Sequence, residues 1–299
     1  MTRRFTAVAA LLLVALSGCG SAAAERAVAR PGTPADGARQ MEAIRGDCMR
    51  EKGFRYVPYV PPPRRKTAAE VEEEAGDYQA MKRFRQKNGY GVFAFYVYPQ
   101  EYGNPMVPPD RPLPPDPDPN HKLIASLSKT QFRAYQEADQ ECLVRAVKTV
   151  VGKDVKSIGD QVDQANTRAA QLKSHALDGD PLLAGRAAAM ATCLEDRGYR
   201  IGSTRPTAMA DRGRAVLEAI KKPMGTRIPE DVRMEMDQPE GALFEPDLSV
   251  GQARPYLAEE ITDALDDLEC GRDFYTVYEP RRTAIEARAY TEFGLYGLL

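Results

Sequence analysis

The chain has 299 residues, 43% of them hydrophobic and 28% charged, enough for one large domain or two small ones with their own cores. Forty-one basic residues against 43 acidic ones give a formal charge of −2, which excludes a whole-molecule field directed at nucleic acid or acidic substrates. With 23 Gly and 23 Pro the chain is neither collagen-like nor broadly disordered, and no apolar run reaches the ~18–20 residues of a membrane-spanning helix.

The first element is a leader. Arg3-Arg4 supply positive charge, Ala7 to Leu16 are unbroken apolar residues, and Leu16-Ser17-Gly18-Cys19 closes the run. This order predicts an export signal over residues 1–18. Phe5 directly follows the arginine pair and no extended polar region precedes it, which favours the general secretory route over a twin-arginine one. Leu-Ser-Gly-Cys resembles the lipobox of bacterial lipoproteins. The resemblance implies that Cys19 carries a diacylglyceryl thioether and becomes the first mature residue. Two acyl chains give stable anchoring, so the expected location is the extracytoplasmic face of the cell membrane. Loss of Arg3 and Arg4 takes two of the 41 basic residues and leaves a formal charge of −4. Residues 19–37, rich in Ala and Gly and carrying Pro31 and Pro34, predict a flexible stalk. Usage rich in Ala, Arg and Gly and poor in Lys resembles that of a GC-rich bacterium.

Met41, Ile44, Cys48 and Met49 share one helical face, and Cys48-Met-Arg-Glu-Lys-Gly53-Phe54-Arg55 follows. Gly53 suits the left-handed residue that ends a helix, with Phe54 packing back on Met49 in a Schellman ending. Thr67 with Glu70 predicts a capped helix to about Lys87, with Val71, Ala75, Tyr78, Met81 and Phe84 on one side. Gly89-Tyr90-Gly91 ends it, and the β-branched and aromatic run Val92 to Tyr98 predicts a short strand. From Pro105 to Pro119 eight of fifteen residues are proline, so the insert 99–120 is expected as an extended loop, either functional or a packed strap. Ser128 with Gln131 opens a helix through Phe132, Tyr135, Cys142, Leu143 and Val147. The apolar spacing continues to Leu172, with Gly152 and Gly159 as break points.

Asp180-Pro181 opens the next helix, whose face Leu182, Leu183, Arg186, Ala187, Met190 and Leu194 leads to Cys193-Leu-Glu-Asp-Arg-Gly198-Tyr199-Arg200. This reads like the earlier stop: cysteine, aliphatic, three polar residues, Gly, aromatic, Arg. Residues 223–250, with Pro223, Pro229, Pro239 and Pro246, are expected mostly as loop. Leu257, Ile261, Ala264, Leu265 and Leu268 then lead into Cys270, and Phe274, Tyr278, Ile285, Tyr290 and Phe293 continue a helical pattern that Pro280 kinks or starts.

Four cysteines remain once Cys19 is set aside: Cys48, Cys142, Cys193 and Cys270. An even number in an exported chain predicts disulfides, and four cysteines allow three pairings. No C-x-x-C spacing and only two histidines argue against a zinc cluster or a redox pair. The repeat favours Cys48–Cys142, 94 residues apart, and Cys193–Cys270, 77 apart, because the difference of 17 is close to the size of the Pro-rich stretch. The expected fold is therefore mainly α. Two pseudo-repeated, disulfide-stapled helical halves span 38–175 and 176–299, with the aromatic strand and Pro-rich loop inserted in the first. The lipobox together with the paired Cys-x₄-Gly-aromatic units resembles a poorly characterised class of secreted lipoproteins from GC-rich Gram-positive bacteria. That resemblance implies location and a helical disulfide body, and no activity.

Gly89-Tyr-Gly-Val-Phe-Ala94 matches G-x-G-x-x-A, but it follows a helix rather than a strand. Asp116-Pro-Asp118-Pro-Asn120 mimics the opening of a calcium loop, yet His121 and Leu127 stand where Gly and Glu are needed. G-x-S-x-G, H-E-x-x-H and phosphate-loop patterns do not occur. No catalytic residue, metal or cofactor is expected. Glu259, Asp263, Asp266, Asp267 and Glu269 read as a solvated helix face. Arg64-Arg65-Lys66 and Lys82-Arg83-Arg85-Lys87 read as exposed charge, with anionic lipid or wall polymer as the functional alternative. The aromatic group from Tyr90 to Tyr102 reads as core, with ligand stacking as its alternative. These features predict a non-catalytic binding or interaction module at the cell envelope. Its expected partners are the membrane, through the lipid on Cys19, and an envelope protein or polymer, not nucleic acid. The alternative is a carboxylate-dependent hydrolase of cell-wall material, marked by a cleft with two close carboxylates of shifted proton affinity.

Overall fold

Local side-chain chemistry sets most of the helix boundaries. The computed structural model describes residues 33–235 and 240–296, so the leader, Cys19 and most of the expected stalk lie outside the described residues. Thr33 caps α1 (Pro34–Glu51) by accepting from the Asp36 amide, so residues 34–37, expected as stalk, form its first turn. A reciprocal capping box between Thr67 and Glu70 opens α2 (Ala68–Glu74). The single helix expected to Lys87 is two, because the chain turns at Gly76, with φ +75°, before Asp77 caps α3 (Tyr78–Asn88). A Cβ at Gly76 would lie 2.6 Å from the carbonyl oxygen of Tyr275, so the break seats the chain against that backbone.

The expected aromatic strand is absent. Residues 92–98 hold a helical turn, α4 (Ala94–Val97), followed by α5 (Pro99–Tyr102). Among the described residues no neighbouring strand offers a ladder there, and the amides of Val97 and Tyr98 bond back to Phe93 and Ala94. Strand preference describes fit to a pleated neighbour, and without one the local bonds win. Residues 103–118 form neither helix nor strand, ending where Asp118 caps α6 (Pro119–Ala125).

α7 (Lys129–Val151) opens on the Ser128–Gln131 capping box and stops at Gly152, with φ +71°. α8 (Ile158–Lys173) starts afresh at Ser157, with Gly159 inside it. A π-helical turn (Ser174–Asp178) precedes Asp180, the cap of α9 (Pro181–Asp196). Next come α10 (Pro206–Lys221), β1 (Thr226–Arg227), α11 (Glu230–Glu235) and β2 (Leu243–Phe244), the two strands pairing antiparallel. α12 (Val250–Cys270), with its Ser249–Gln252 capping box, and α13 (Arg272–Glu292), which contains Pro280, complete a mainly α chain.

α1 and α7 lie side by side, joined by Cys48–Cys142 with Cα atoms 5.5 Å apart. Their seam buries Met41, Met49, Tyr135, Ala138, Ala146 and Val147. Across it Arg45 donates to both oxygens of Asp139, at 2.7 and 2.6 Å. A larger core gathers α3, α9, α10, α12 and α13 around Met190, Leu194, Met209, Leu268, Phe274 and Tyr275. Cys193–Cys270 joins α9 to α12, with Cα atoms 5.6 Å apart. Both bridges are those the repeat predicts. The packing does not follow the division at residue 175, however. α2 and α3 lie against α13, α3 and α4 against α12, and α8 along α13, so early segments complete the later core.

Candidate functional site

The two helix stops singled out in the sequence share one geometry. Gly53 and Gly198 sit at φ +82° and +90°. The amides of Phe54 and Tyr199 bond to the carbonyls of Met49 and Leu194, both at 3.0 Å, and those of Gly53 and Gly198 to Arg50 and Glu195 at 3.0 and 2.9 Å. This is the Schellman pattern, and each following aromatic packs inward. Phe54 meets Tyr135 edge-on with ring centroids 5.5 Å apart, and the Tyr199 ring faces the Arg212 guanidinium at 4.9 Å. Cys48, Cys142, Cys193 and Cys270 are all consumed in bridges. These residues fasten helices and none of them lines the cleft described below. Cys19 lies outside the described residues.

The acidic run on α12 is only in part the solvated face its spacing predicts: Glu259 and Glu269 are exposed, whereas Asp263 and Asp267 are enclosed. Asp267 is 1% exposed and accepts from Arg85 at 2.7 Å, from the Tyr275 hydroxyl at 2.5 Å and from Arg212 at 3.3 Å. Asp263 accepts from Arg212 at 2.5 Å and from the Tyr90 hydroxyl at 2.6 Å. Arg85, expected among exposed charges, is buried with them. The reason is that α12 packs against α3, α4, α9 and α10 at once, so positions one turn apart meet protein instead of water. Glu260, also buried, accepts from the amides of Tyr90, Val92 and Phe93 at 2.7, 2.8 and 2.8 Å. Burial raises its proton affinity against the pull of those amides. The amides of the G-x-G-x-x-A match are thus occupied internally. Phe93 stacks on Tyr256, ring centroids 4.9 Å apart, and the aromatic group is core.

Beside this network a cleft of about 440 Å³ opens between α2, α3, α10 and α13. Met81, Phe84, Ala210 and Tyr278 give it an apolar side, and Phe84 is 37% exposed. Most of its charged lining is paired. Glu286 accepts from Lys173 at 2.8 Å and Arg282 at 2.5 Å, Arg282 also bonds Glu279, and Glu70 and Glu74 accept from Arg64 and Lys66. Glu73, Asp211 and Arg214 make no side-chain hydrogen bond or ion pair. Glu73, half-buried on α2, is pushed up to about 7 by burial and by the charges of Glu70, Glu279 and Glu74, against the pull of Arg83. On the opposite helix the Tyr278 hydroxyl is likewise pushed up by burial and by Asp211, Glu279 and Glu286. The cleft therefore offers a carboxyl that titrates near neutrality beside an aromatic side.

Sequence reasoning missed this cleft. The only linear signal is the Glu70, Glu73, Glu74 cluster on a capped helix, and nothing in its spacing connects it to Asp211 or Tyr278. Among the described residues no three His, Cys, Asp or Glu are placed to hold a metal ion, and no helix is long and apolar enough to cross a membrane. A scan of the chain against protein-family models finds no match, and comparisons with curated proteins and with solved structures find none either.

Proposed function

We propose that the chain is a lipid-anchored extracytoplasmic protein, a non-catalytic binding module held at the cell envelope through Cys19, with the cleft as its ligand site. One observation carries the reading. The four later cysteines pair as Cys48–Cys142 and Cys193–Cys270, as an oxidising compartment permits, and the thiol directly after the apolar leader is left for different chemistry. Saturation of Glu260, Asp263 and Asp267 by internal donors supports binding over catalysis, since these carboxylates are engaged in holding the fold. The matched helix stops and bridge order support descent of the two halves from one duplicated unit.

The test is metabolic labelling with an alkynyl palmitate in an exporting bacterial host, comparing wild type with Cys19→Ser. Label and membrane retention in the wild type, both lost in the variant, are expected. An unlabelled, membrane-free mature chain overturns the anchoring.

Glu73 favours a second reading, an envelope hydrolase of cell-wall material, because a carboxyl that titrates near neutrality suits general acid catalysis. Turnover of purified wall fragments that disappears in Glu73→Gln replaces the binding reading with this one.

A further inference from the structure

Resting on the cleft as the ligand site, we propose that it takes a small organic cation: a primary ammonium on an apolar stem, with Glu73 as its counter-charge and Phe84 beside the stem. The volume, about 440 Å³, falls within the range of small-molecule sites. Six carboxylates and four cationic side chains line it. Arg85, Lys173 and Arg282 are each bonded to a carboxylate already, so an anion entering their side must displace an internal pair. Of the lining groups without a partner two are acidic, Glu73 and Asp211, and one is basic, Arg214, so a cation finds more open counter-charge than an anion does.

The charged groups that set the field at Glu73 are Glu70 and Glu74 on its own helix, Arg83 on α3 and Glu279 on α13. Three of the four repel its ionised form, and an ammonium placed there relieves that repulsion. The exposed ring of Phe84 supplies apolar surface for a stem, and an aromatic face also attracts a cation. An alcohol of the same shape keeps the apolar part and a hydrogen bond to the carboxylate but loses the charge attraction.

The experiment is calorimetric titration of the full chain with cadaverine, with 1,5-pentanediol as the neutral isostere and glutarate as the anion. Cadaverine is expected to bind at least about tenfold more tightly than the diol. Glu73→Gln, checked for native helix content and both bridges, is expected to weaken cadaverine about tenfold or more, while the remote Glu259→Gln leaves it unchanged. Affinity is expected to rise about tenfold from pH 6 to pH 8, as Glu73 ionises and the amine stays charged. Equal binding of the diol, an unaltered Glu73→Gln variant or a flat pH profile overturns the proposal. Glutarate binding that is lost in Arg214→Gln overturns the ligand class while leaving the cleft a site. Silence from all three probes overturns the inference, with the Cys19 labelling still to be read on its own.

Discussion

Arg85 of α3 and Asp267 of α12 form an ion pair of 2.7 Å almost out of reach of water, their side chains 9% and 1% exposed. They stand 182 residues apart in the chain. Tyr275 donates to the same carboxylate, and its ring lies 4.6 Å from the Arg85 guanidinium. A buried network whose charges are all compensated specifies one arrangement of the elements that carry it. Here it holds the segment before the Pro-rich insert on the last two helices.

Asp267→Asn leaves Arg85 and Arg212 without their shared counter-charge. A loss of about 3–5 kcal/mol is expected, the usual cost of breaking one side of a buried pair. Glu72→Gln, at the exposed Arg83–Glu72 pair of 3.0 Å, is expected to cost no more than about 1 kcal/mol. Urea midpoints at unchanged m-value measure both.

The helix stops separate backbone cost from packing cost. Nothing lies within 4 Å of a Cβ built on Gly53 or Gly198, so alanine there meets only the left-handed backbone penalty, about 1 kcal/mol each. Gly213 differs, because a Cβ would fall 2.0 Å from the Tyr90 hydroxyl oxygen. Gly213→Ala is expected to cost about 1–3 kcal/mol by overpacking and to loosen Tyr90 from Asp263. Thermal unfolding of the three variants tests the order.

The two bridges differ in access. Cys48 and Cys142 are 1% and 0% exposed, whereas Cys193 and Cys270 are only partly buried. Mild reductant followed by alkylation and peptide mass mapping is expected to find Cys193 and Cys270 labelled first. Removing either bridge as a double alanine variant is expected to cost about 4–5 kcal/mol in the chain-entropy picture.

Stability carries the signature of Glu73. Its folded-state value is raised to about 7, so the native chain holds that proton more tightly than the unfolded one. The group therefore stabilises below the ordinary carboxylate range, and the contribution is lost as pH rises through about 7. Glu73→Gln is expected to gain stability relative to wild type between pH 5 and pH 8. Urea midpoints across that interval show the divergence, and parallel curves would refute it.

Features built from residues near one another in the chain were legible without a fold. Thr67 with Glu70, Ser128 with Gln131, and the stops at Gly53 and Gly198 are chemistry within five residues, and each stands where its spacing indicates. The bridges were legible because the motif around Cys48 repeats around Cys193. Burial was not, since it depends on which helix arrives from elsewhere. Asp267 and Arg85 have the spacing of surface charges and are enclosed only because four helices converge on α12. Val92 to Tyr98 has strand composition, and took helical turns because α12 offered a carboxylate and an apolar face where a strand would need a ladder. The cleft belongs wholly to this second class: Glu73, Asp211 and Tyr278 come from three helices, and the proton affinity of Glu73 is set by desolvation and by Glu279 as well as by its own helix, which no linear spacing records.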